Sequence, residues 1–127
     1  MSEITELKKQ LAELKARIDA FEQGVSADFD KVVVDGVEYY DAKKDVTHQE
    51  ALDLAAKHGL RVMESWEMNR LWIESEEFRK SLTPKWYWCA SVVSGNRNNA
   101  WLFSGYYGFV SYYYRSLKYG VRCVGLP

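Results

Sequence analysis

Residues 101–119 have the sequence Trp101-Leu-Phe-Ser-Gly-Tyr-Tyr-Gly-Phe-Val-Ser-Tyr-Tyr-Tyr-Arg-Ser-Leu-Lys-Tyr119 and hold six of the nine tyrosines of this 127-residue chain. Serine, glycine and asparagine residues surround these rings from Trp86 onward, with almost no carboxylates. Because strand side chains alternate between two faces, the run Tyr112-Tyr113-Tyr114 cannot point wholly into one core. Tyr with Ser, Gly and Asn is also the composition of antibody paratopes, in which Tyr provides rigid contact area at low entropic cost. The segment therefore predicts short strands that carry a binding surface.

Some of these apolar side chains must still build a core. The residues expected to face inward are Trp86, Trp88, Trp101, Val110, Leu117 and Val121. The tyrosines expected to face mainly outward are Tyr106, Tyr107, Tyr112, Tyr113 and Tyr114. The predicted ligand-binding residues are Phe103, Ser104, Tyr106, Tyr107, Phe109, Ser111, Tyr112, Tyr113, Tyr114, Ser116, Asn96 and Asn98. The polar loop Asn96-Arg97-Asn98-Asn99 is either an ordinary turn or part of the binding face.

The flanking sequence predicts an α+β domain. Thr47-His-Gln-Glu50 is a capping box that opens a helix through about His58, where Gly59 ends it. A second helix is expected from Ser65 to about Leu82, before Pro84, with a buried face that contains Trp66, Leu71, Trp72 and Phe78. After Pro84 the periodicity predicts short strands near 86–88, 100–103, 108–110 and 120–124.

The residues before the first helix of this domain predict a hairpin. Asp35-Gly36 is a strong turn dipeptide between two apolar runs within Lys31–Tyr40. Residues 61–63 are expected to be short and extended.

Residues 3–23 form a heptad pattern. Its a and d positions are apolar: Ile4, Leu7, Leu11, Leu14, Ile18 and Phe21. The g-to-e pairs of a parallel coil are Glu3–Lys8, Gln10–Lys15 and Arg17–Glu22, and the sequence around the last pair resembles a trimer-favouring signature. We expect residues 1–24 to form a coiled-coil helix that makes a homo-oligomer, a trimer being favoured. An amphipathic helix packed on its own domain is the alternative, because three heptads are marginal alone. Gly24–Asp28 is expected to be a hinge to the domain at 25–127.

Composition excludes several classes of function. The net charge is −1, from 17 basic and 18 acidic residues, so the basic excess of a nucleic-acid binder is missing. No run of 18 apolar residues exists, so no membrane insertion is expected. The acidic start Met1-Ser-Glu-Ile-Thr-Glu6 lacks the apolar core of a secretory signal, so no signal peptide is predicted.

No catalytic residue, metal site or cofactor is predicted. His48 and His58 are expected to be solvated helix residues, and Glu74, Glu76 and Glu77 a solvated helix face. Cys89 and Cys123 are expected to be reduced, mostly buried thiols. These histidines and cysteines are scattered without the spacing of metal ligands.

Three segments resemble the C-type lectin domains of the formylglycine-generating-enzyme-like superfamily. Ala55-Ala-Lys-His-Gly-Leu-Arg-Val-Met-Glu-Ser-Trp-Glu67 resembles their Gly-Leu-Arg-Leu-Pro-Thr-x-x-Glu-Trp-Glu segment. Tyr87-Trp-Cys-Ala-Ser91 is similar to their Tyr-Trp-Ser-Ser strand, and Tyr119-Gly-Val-Arg-Cys-Val124 to a closing strand. The resemblance covers residues 45–127 and implies a C-type lectin fold with two helices and a small, mostly antiparallel sheet.

Within that superfamily the chain resembles the variable proteins of diversity-generating retroelements. Its Tyr, Ser, Phe, Gly and Asn positions lie between constant-looking residues: Trp88, Trp101, Gly105, Arg115, Gly120, Val121 and Arg122. The resemblance implies a hypervariable surface that binds a protein or glycan on a host or neighbouring cell, with a virion tail tip or the cell exterior as the expected location.

Two other functions remain open from the sequence. A tail-fibre or assembly subunit would keep a permanent partner on the aromatic surface. A degenerate enzyme of the formylglycine-generating type is disfavoured, because the paired reactive cysteines of those enzymes are replaced here by Cys89 and Cys123, which lie far apart in the sequence. Calcium-dependent sugar binding is disfavoured too, since the Glu-Pro-Asn, Gln-Pro-Asp and Trp-Asn-Asp motifs are absent.

Overall fold

A computed structural model describes residues 2–126 as an α+β protein with four helices and a seven-stranded mixed sheet. The helices are α1 (Ser2–Asp28), α2 (His48–Lys57), α3 (Ser65–Glu74) and α4 (Glu76–Ser81). The strands are β1 (Phe29–Val34), β2 (Val37–Ala42), β3 (Leu60–Val62), β4 (Trp86–Val93), β5 (Asn96–Ser104), β6 (Val110–Tyr114) and β7 (Gly120–Gly125).

The sheet is open, with strand order β1-β2-β7-β4-β5-β6, and β3 pairs with β7 beside this path. Strands β4 and β7 run parallel, and the other pairs are antiparallel. The C-terminal strand β7 therefore lies at the centre, while β1 and β6 form the two edges.

Consecutive strand residues alternate between two cores on opposite faces of the sheet. One core, below called the α2 face, includes Val25, Trp88, Leu102 and Val121 with the apolar side of α2. The other, the α3–α4 face, includes Tyr39, Phe78, Tyr87 and Phe103. Cys89 belongs to the α3–α4 face and Cys123 to the α2 face, and both are buried free thiols, as predicted.

The local signals for the hairpin and for α2 are confirmed. Asp35 and Gly36 both have positive φ, as a tight two-residue turn between β1 and β2 requires. Thr47 accepts a hydrogen bond from the Glu50 backbone N–H, and the Glu50 side chain accepts one from Thr47 N–H. The expected extended segment at 61–63 corresponds to β3 and the residue that follows it.

The predicted long helix from Ser65 is wrong in two respects. Ser75 has extended backbone angles and caps a separate helix, α4, so the segment forms two helices and not one. The N-cap residue of the first of them, α3, is Glu64. Trp66 is 63% exposed rather than buried, although Leu71 and Trp72 are half-buried and Phe78 is fully buried.

Helix α1 extends through the predicted hinge at Gly24–Asp28 and leads directly into β1. Val25 is its one buried residue, whereas all six predicted heptad positions are exposed by 47% or more. The apolar stripe thus lies largely open along the helix, and only Ile18 and Phe21, near its C-terminal end, line a groove with residues of the β1–β2 hairpin. Between residues 2 and 126, no helix is long and apolar enough to cross a membrane.

Replacement of two tryptophans tests these placements. Trp88→Ala should lower the free energy of unfolding by about 3–5 kcal/mol, because the ring is buried and its Nε1–H donates to the Val46 carbonyl at 2.8 Å. Trp66→Ala removes an equally large ring that is exposed, so its effect should stay within about 1 kcal/mol. Urea denaturation of both variants measures the difference, and equal losses would contradict the assigned burial of Trp66.

Candidate functional site

Seven exposed aromatic or apolar residues form one surface along the β5–β6 turn and β6. This aromatic surface consists of Tyr106, Tyr107, Phe109, Val110, Tyr112, Tyr113 and Tyr114. Their exposed fractions run from 38% for Val110 to 73% for Tyr107, so no core depends on their full burial. The five tyrosines predicted to be exposed are exposed. Val110 and Leu117, predicted to face inward, are each 38% exposed, and that prediction is wrong.

Two predicted binding residues are buried and serve the framework instead. Phe103 is fully buried on the α3–α4 face, where its ring lies edge-on to Trp72. Ser104 is also fully buried, and its Oγ accepts hydrogen bonds from the backbone N–H groups of Tyr106 and Tyr107. Ser104 therefore shapes the turn that presents the two tyrosines, and neither residue lies where a ligand could touch it.

Two glycines let the β5–β6 turn lie against the framework. Gly108 has φ +74°, and any Cβ there would overlap the indole of Trp72. Gly105 packs against the backbone carbonyls of Thr83 and Lys85 so closely that a side chain would not fit. The turn is thus held from beneath, and the exposed rings project from a fixed base.

The rings of the turn form a connected row. Tyr107 stacks on Phe109 with an interplanar angle of 5° and a centroid distance of 5.9 Å, and Tyr106 lies 5.9 Å from Tyr107. Phe109 in turn contacts the half-buried Trp86 edge-to-face at 5.6 Å. Such contacts restrict the rings, which lowers the entropy that a ligand must remove on binding.

The three consecutive tyrosines of β6 divide between the two faces of the sheet. Tyr112 is opposite Trp101 in the β5–β6 register, and the two rings contact each other edge-on at 5.7 Å. Tyr113 is on the other face, where it lies 6.4 Å from Tyr119, which itself packs on Trp88. The aromatic surface therefore wraps around the edge of the sheet and is not confined to one of its two faces.

The predicted polar residues surround the end of β6. Asn96 and Asn98 belong to β5, not to a loop, and are exposed; Ser116 is exposed and Ser111 half-buried. A shallow depression of about 420 Å³ is lined by Asn99, Ser111, Tyr112, Tyr113 and Tyr114. A second, of about 400 Å³, is lined by Arg97, Asn98, Tyr114, Arg115 and Ser116. Tyr114 is common to both.

Asn99 lies in the polar segment 96–99 that was predicted to be a turn or part of the binding face, but it was not among the predicted binding residues. It is 8% exposed, and its Oδ1 has no hydrogen-bond partner among the residues that the structure describes. A buried acceptor left without a partner costs about 1–3 kcal/mol. The sequence offers one signal for its position: Asn99 directly precedes the apolar run that begins at Ala100, and that run indicates a strand.

Arg115 fixes the end of β6 to the start of α2. Its Nε donates to Nδ1 of His48 at 2.9 Å, and a terminal nitrogen donates to Oε1 of Gln49 at 3.0 Å. His48 Nε2 donates to the carbonyls of Cys89 and Ala90, which fixes the neutral tautomer. Burial, aided by the charge of Arg115, lowers the pKa of His48.

Both histidines depart from the prediction that they are solvated. His48 is fully buried in the network just described. The side chain of His58 is 9% exposed and its Nε2 lies 2.7 Å from Oδ2 of Asp28, at the end of α1. The exposed cluster Glu74, Glu76 and Glu77 agrees with prediction.

Charge is distributed unevenly along the chain. Residues 78–127 carry seven Lys or Arg and no Asp or Glu, so the preceding residues carry all 18 carboxylates. Arg97 forms no ion pair within residues 2–126, and the side chain of Arg115 donates its hydrogen bonds there to His48 and Gln49, which carry no negative charge. The polar end of the aromatic surface is therefore positively charged.

Neither thiol is placed for nucleophilic chemistry. Burial raises the pKa of Cys89 and of Cys123 to about 12, so both remain protonated at neutral pH. Within the described part of the chain, no three His, Cys, Asp or Glu side chains converge as metal ligands would.

No family model matches this chain, and no curated protein is significantly similar to it.

The burial of His48, together with the charge of Arg115 beside it, should make stability depend on pH. The folded protein disfavours protonated His48, whereas the unfolded chain binds that proton near the ordinary pKa of about 6.5. The free energy of unfolding should therefore fall as the pH drops below about 6.5 toward the lower folded-state pKa. Denaturation at several pH values measures it, with His48→Gln as the comparison: an amide can keep one hydrogen bond but cannot titrate. Identical pH profiles for the two proteins would exclude His48 as the cause.

Proposed function

We propose that this chain is a binding module that presents the aromatic surface to a protein or glycan on a host or neighbouring cell. The observation that carries the proposal is the exposure of Tyr106, Tyr107, Phe109, Tyr112, Tyr113 and Tyr114 on a base that is complete without them. Exposed aromatic clusters of this kind mark interaction sites, because a soluble surface otherwise limits its contiguous apolar area.

Recognition without chemistry is the proposed mechanism. Tyrosine rings provide large rigid contact area, and their hydroxyls provide directional hydrogen bonds at the rim of the contact. Asn96, Asn98, Ser111 and Ser116 add donors and acceptors around the rings. The protonated, buried thiols favour this interpretation over oxidase chemistry.

The proposed fold is that of a C-type lectin domain, of the kind found in variable proteins of diversity-generating retroelements. The three segments that carry the resemblance come together around the centre of the sheet. Residues 55–67 include β3, residues 87–91 lie in β4, and residues 119–124 lie mostly in β7. Because β7 pairs with both β3 and β4, these segments form one structural unit, which supports the proposal.

Helix α1 is proposed to hold several copies of the module in parallel. Its heptad positions are exposed over most of a 27-residue helix, and a lone helix with an open apolar stripe is marginal in water. Burial between identical helices removes that surface and presents several aromatic surfaces together. Linked sites bind with higher avidity than any one of them.

Charge placed in the stripe of α1 should abolish self-association. The variant Leu7→Asp, Leu11→Asp, Leu14→Asp buries charge at the proposed interface, so it should be a folded monomer, whereas the unaltered chain should be an oligomer, with a trimer favoured. Lys9→Asp with Ala16→Asp places charge on the opposite side of the helix and should leave the oligomer unchanged. Light scattering gives the masses. A monomeric unaltered chain would exclude the proposed coil.

Removal of the exposed rings should abolish binding without unfolding the domain. The variant with Tyr106, Tyr107, Tyr112, Tyr113 and Tyr114 all changed to Ser keeps both cores but loses the anchors that dominate interface energy. Flow cytometry of the fluorescently labelled chain on candidate host cells measures binding, and circular dichroism checks the fold.

Two further measurements complete this test. Lys9→Asp with Ala16→Asp is the control variant: it changes α1 on the side opposite the stripe and leaves the aromatic surface intact, so it should keep binding. EDTA should have no effect, because the proposed contacts are aromatic and polar. Full binding by the five-serine variant, or loss of binding in EDTA, would place the site elsewhere.

A further inference from the structure

The outer edge of β6 is free and without the usual protection. Strand order ends at β6, and its sequence Val110-Ser-Tyr-Tyr-Tyr114 contains no charge and no proline. The opposite edge strand, β1, carries Asp30 and Lys31 and also contacts α1 and α4. Proteins normally guard edge strands, because unpaired backbone groups there are a template for another strand.

The backbone groups that face outward on β6 can be identified. Ser104 N–H donates to the Phe109 carbonyl just before the strand, and Arg115 N–H donates to the Asn98 carbonyl just after it. In an antiparallel pair the hydrogen-bonded residues recur at every second position, so the N–H and C=O groups of Ser111 and Tyr113 also point toward β5. The groups of Val110, Tyr112 and Tyr114 therefore point away from the sheet.

Most of these outward groups have no partner among the described residues. The Tyr114 carbonyl accepts from Leu117 N–H, but no bond is formed by the other two carbonyls or by any of the three N–H groups. An extended peptide is the ligand whose donors and acceptors match such a row, at the same spacing.

The side chains next to this edge fit a peptide as well. Tyr112 and Tyr114 lie on one face of β6 and Tyr113 on the other, so rings flank the edge from both sides. The depression between them contains Asn99, whose buried Oδ1 lacks a donor. A rotation of the amide group would offer that oxygen to an N–H or O–H group of a ligand side chain.

Charge at the end of the edge indicates what the peptide carries. Arg97 and Arg115 line the depression that follows Tyr114, and no Asp or Glu follows Glu77 in the sequence. An acidic side chain or a terminal carboxylate would pair with these guanidinium groups.

From these features we infer that β6 accepts an extended segment of a partner polypeptide as an added strand, with an acidic group of that segment over Arg97 and Arg115. This inference rests on the proposed binding function and names its partner class. A second copy of β6 fits less well, because a strand pair between identical edges needs a two-fold axis, which a three-fold coil does not supply within one assembly.

A matched pair of substitutions isolates the backbone contribution. Tyr112→Ala and Tyr112→Pro both remove the ring, but only proline removes the outward N–H, and neither breaks a bond to β5. The probe is a linear peptide enriched from a random phage library on the full chain, with affinity read by fluorescence anisotropy. We expect enriched peptides to contain Asp or Glu, and Tyr112→Pro to bind about tenfold more weakly than Tyr112→Ala. Equal affinities, or no enrichment of linear peptides, would overturn the inference.

A change in the peptide tests the same bond if the proline variant does not fold. Two versions of the peptide, N-methylated at alternate residues in the two possible registers, differ only in which N–H groups remain. One version should lose binding and the other should keep it, because a strand directs every second N–H toward its neighbour. Equal behaviour of the two versions would exclude strand addition.

Charge and self-pairing are tested separately. Arg97→Gln should weaken peptide binding up to about fivefold at low salt, and Lys31→Gln, the same change of charge at the other sheet edge, should not. No effect of Arg97→Gln would overturn the assignment of the acidic group. A loss of oligomer mass in Tyr112→Pro would overturn the inference by identifying a second copy as the occupant.

Cell binding separates this inference from the function on which it rests. If the five-serine variant fails to bind cells while Tyr112→Ala and Tyr112→Pro bind the peptide equally, the aromatic surface stands and strand addition fails. If the five-serine variant binds cells fully, both fail.

Discussion

The buried guanidinium of Arg122 connects three parts of the fold: the central strand β7, the β1–β2 hairpin and helix α4. It lies on β7, is 1% exposed, and forms two short bonds, of 2.6 and 2.8 Å, to the carboxylate of Asp41 on β2. It also donates to the hydroxyl and the carbonyl of Ser81 at the end of α4, and it lies against the rings of Tyr39 and Phe78. Loss of one partner from such a buried pair costs about 3–5 kcal/mol, because the other charge is left without compensation. One side chain thus fixes the centre of the sheet to its hairpin and to the α3–α4 layer.

A series of paired strands connects this centre to the aromatic surface. Strand β7 pairs with β4, β4 with β5, and β5 with β6. At the ends of β6, Ser104 and Gly108 fix the preceding turn, and Arg115 fixes the following one to α2. None of these anchors uses the side chain of an exposed tyrosine. The surface can therefore change its side chains while its base is kept, which is what a binding module with variable specificity requires.

Local signals in the sequence predicted well, and signals that depend on register did not. The Thr47–Glu50 capping box and the Asp35-Gly36 turn act within a few residues, so composition alone specifies them. Because strand side chains alternate between two faces, the run of tyrosines predicted that some rings are exposed. Alternation alone does not tell which residues lie on which face. Phe103 and Val110 are opposite each other in the β5–β6 register, yet Phe103 is buried against Trp72 of α3 whereas Val110, on the edge strand, is 38% exposed. His48 is buried because Arg115, 67 residues away, provides its partner, and nothing near His48 in the sequence reveals that contact.

The stripe of α1 and the edge of β6 both expose groups that a stable protein would normally cover, and we propose a different partner for each. The stripe of α1 repeats every seven residues, so an identical helix matches it best, and a parallel coil aligns every copy in the same direction. The edge of β6 offers backbone groups with no repeat of its own, flanked by rings on both faces and by positive charge at one end. In the proposed parallel coil of three chains no two-fold axis relates these edges to one another, so each edge would stay open to a foreign segment. Because identical chains would cover the stripe and leave the edge free, the proposed self-association is compatible with the proposed peptide binding, and linked copies would bind with higher avidity than one copy alone.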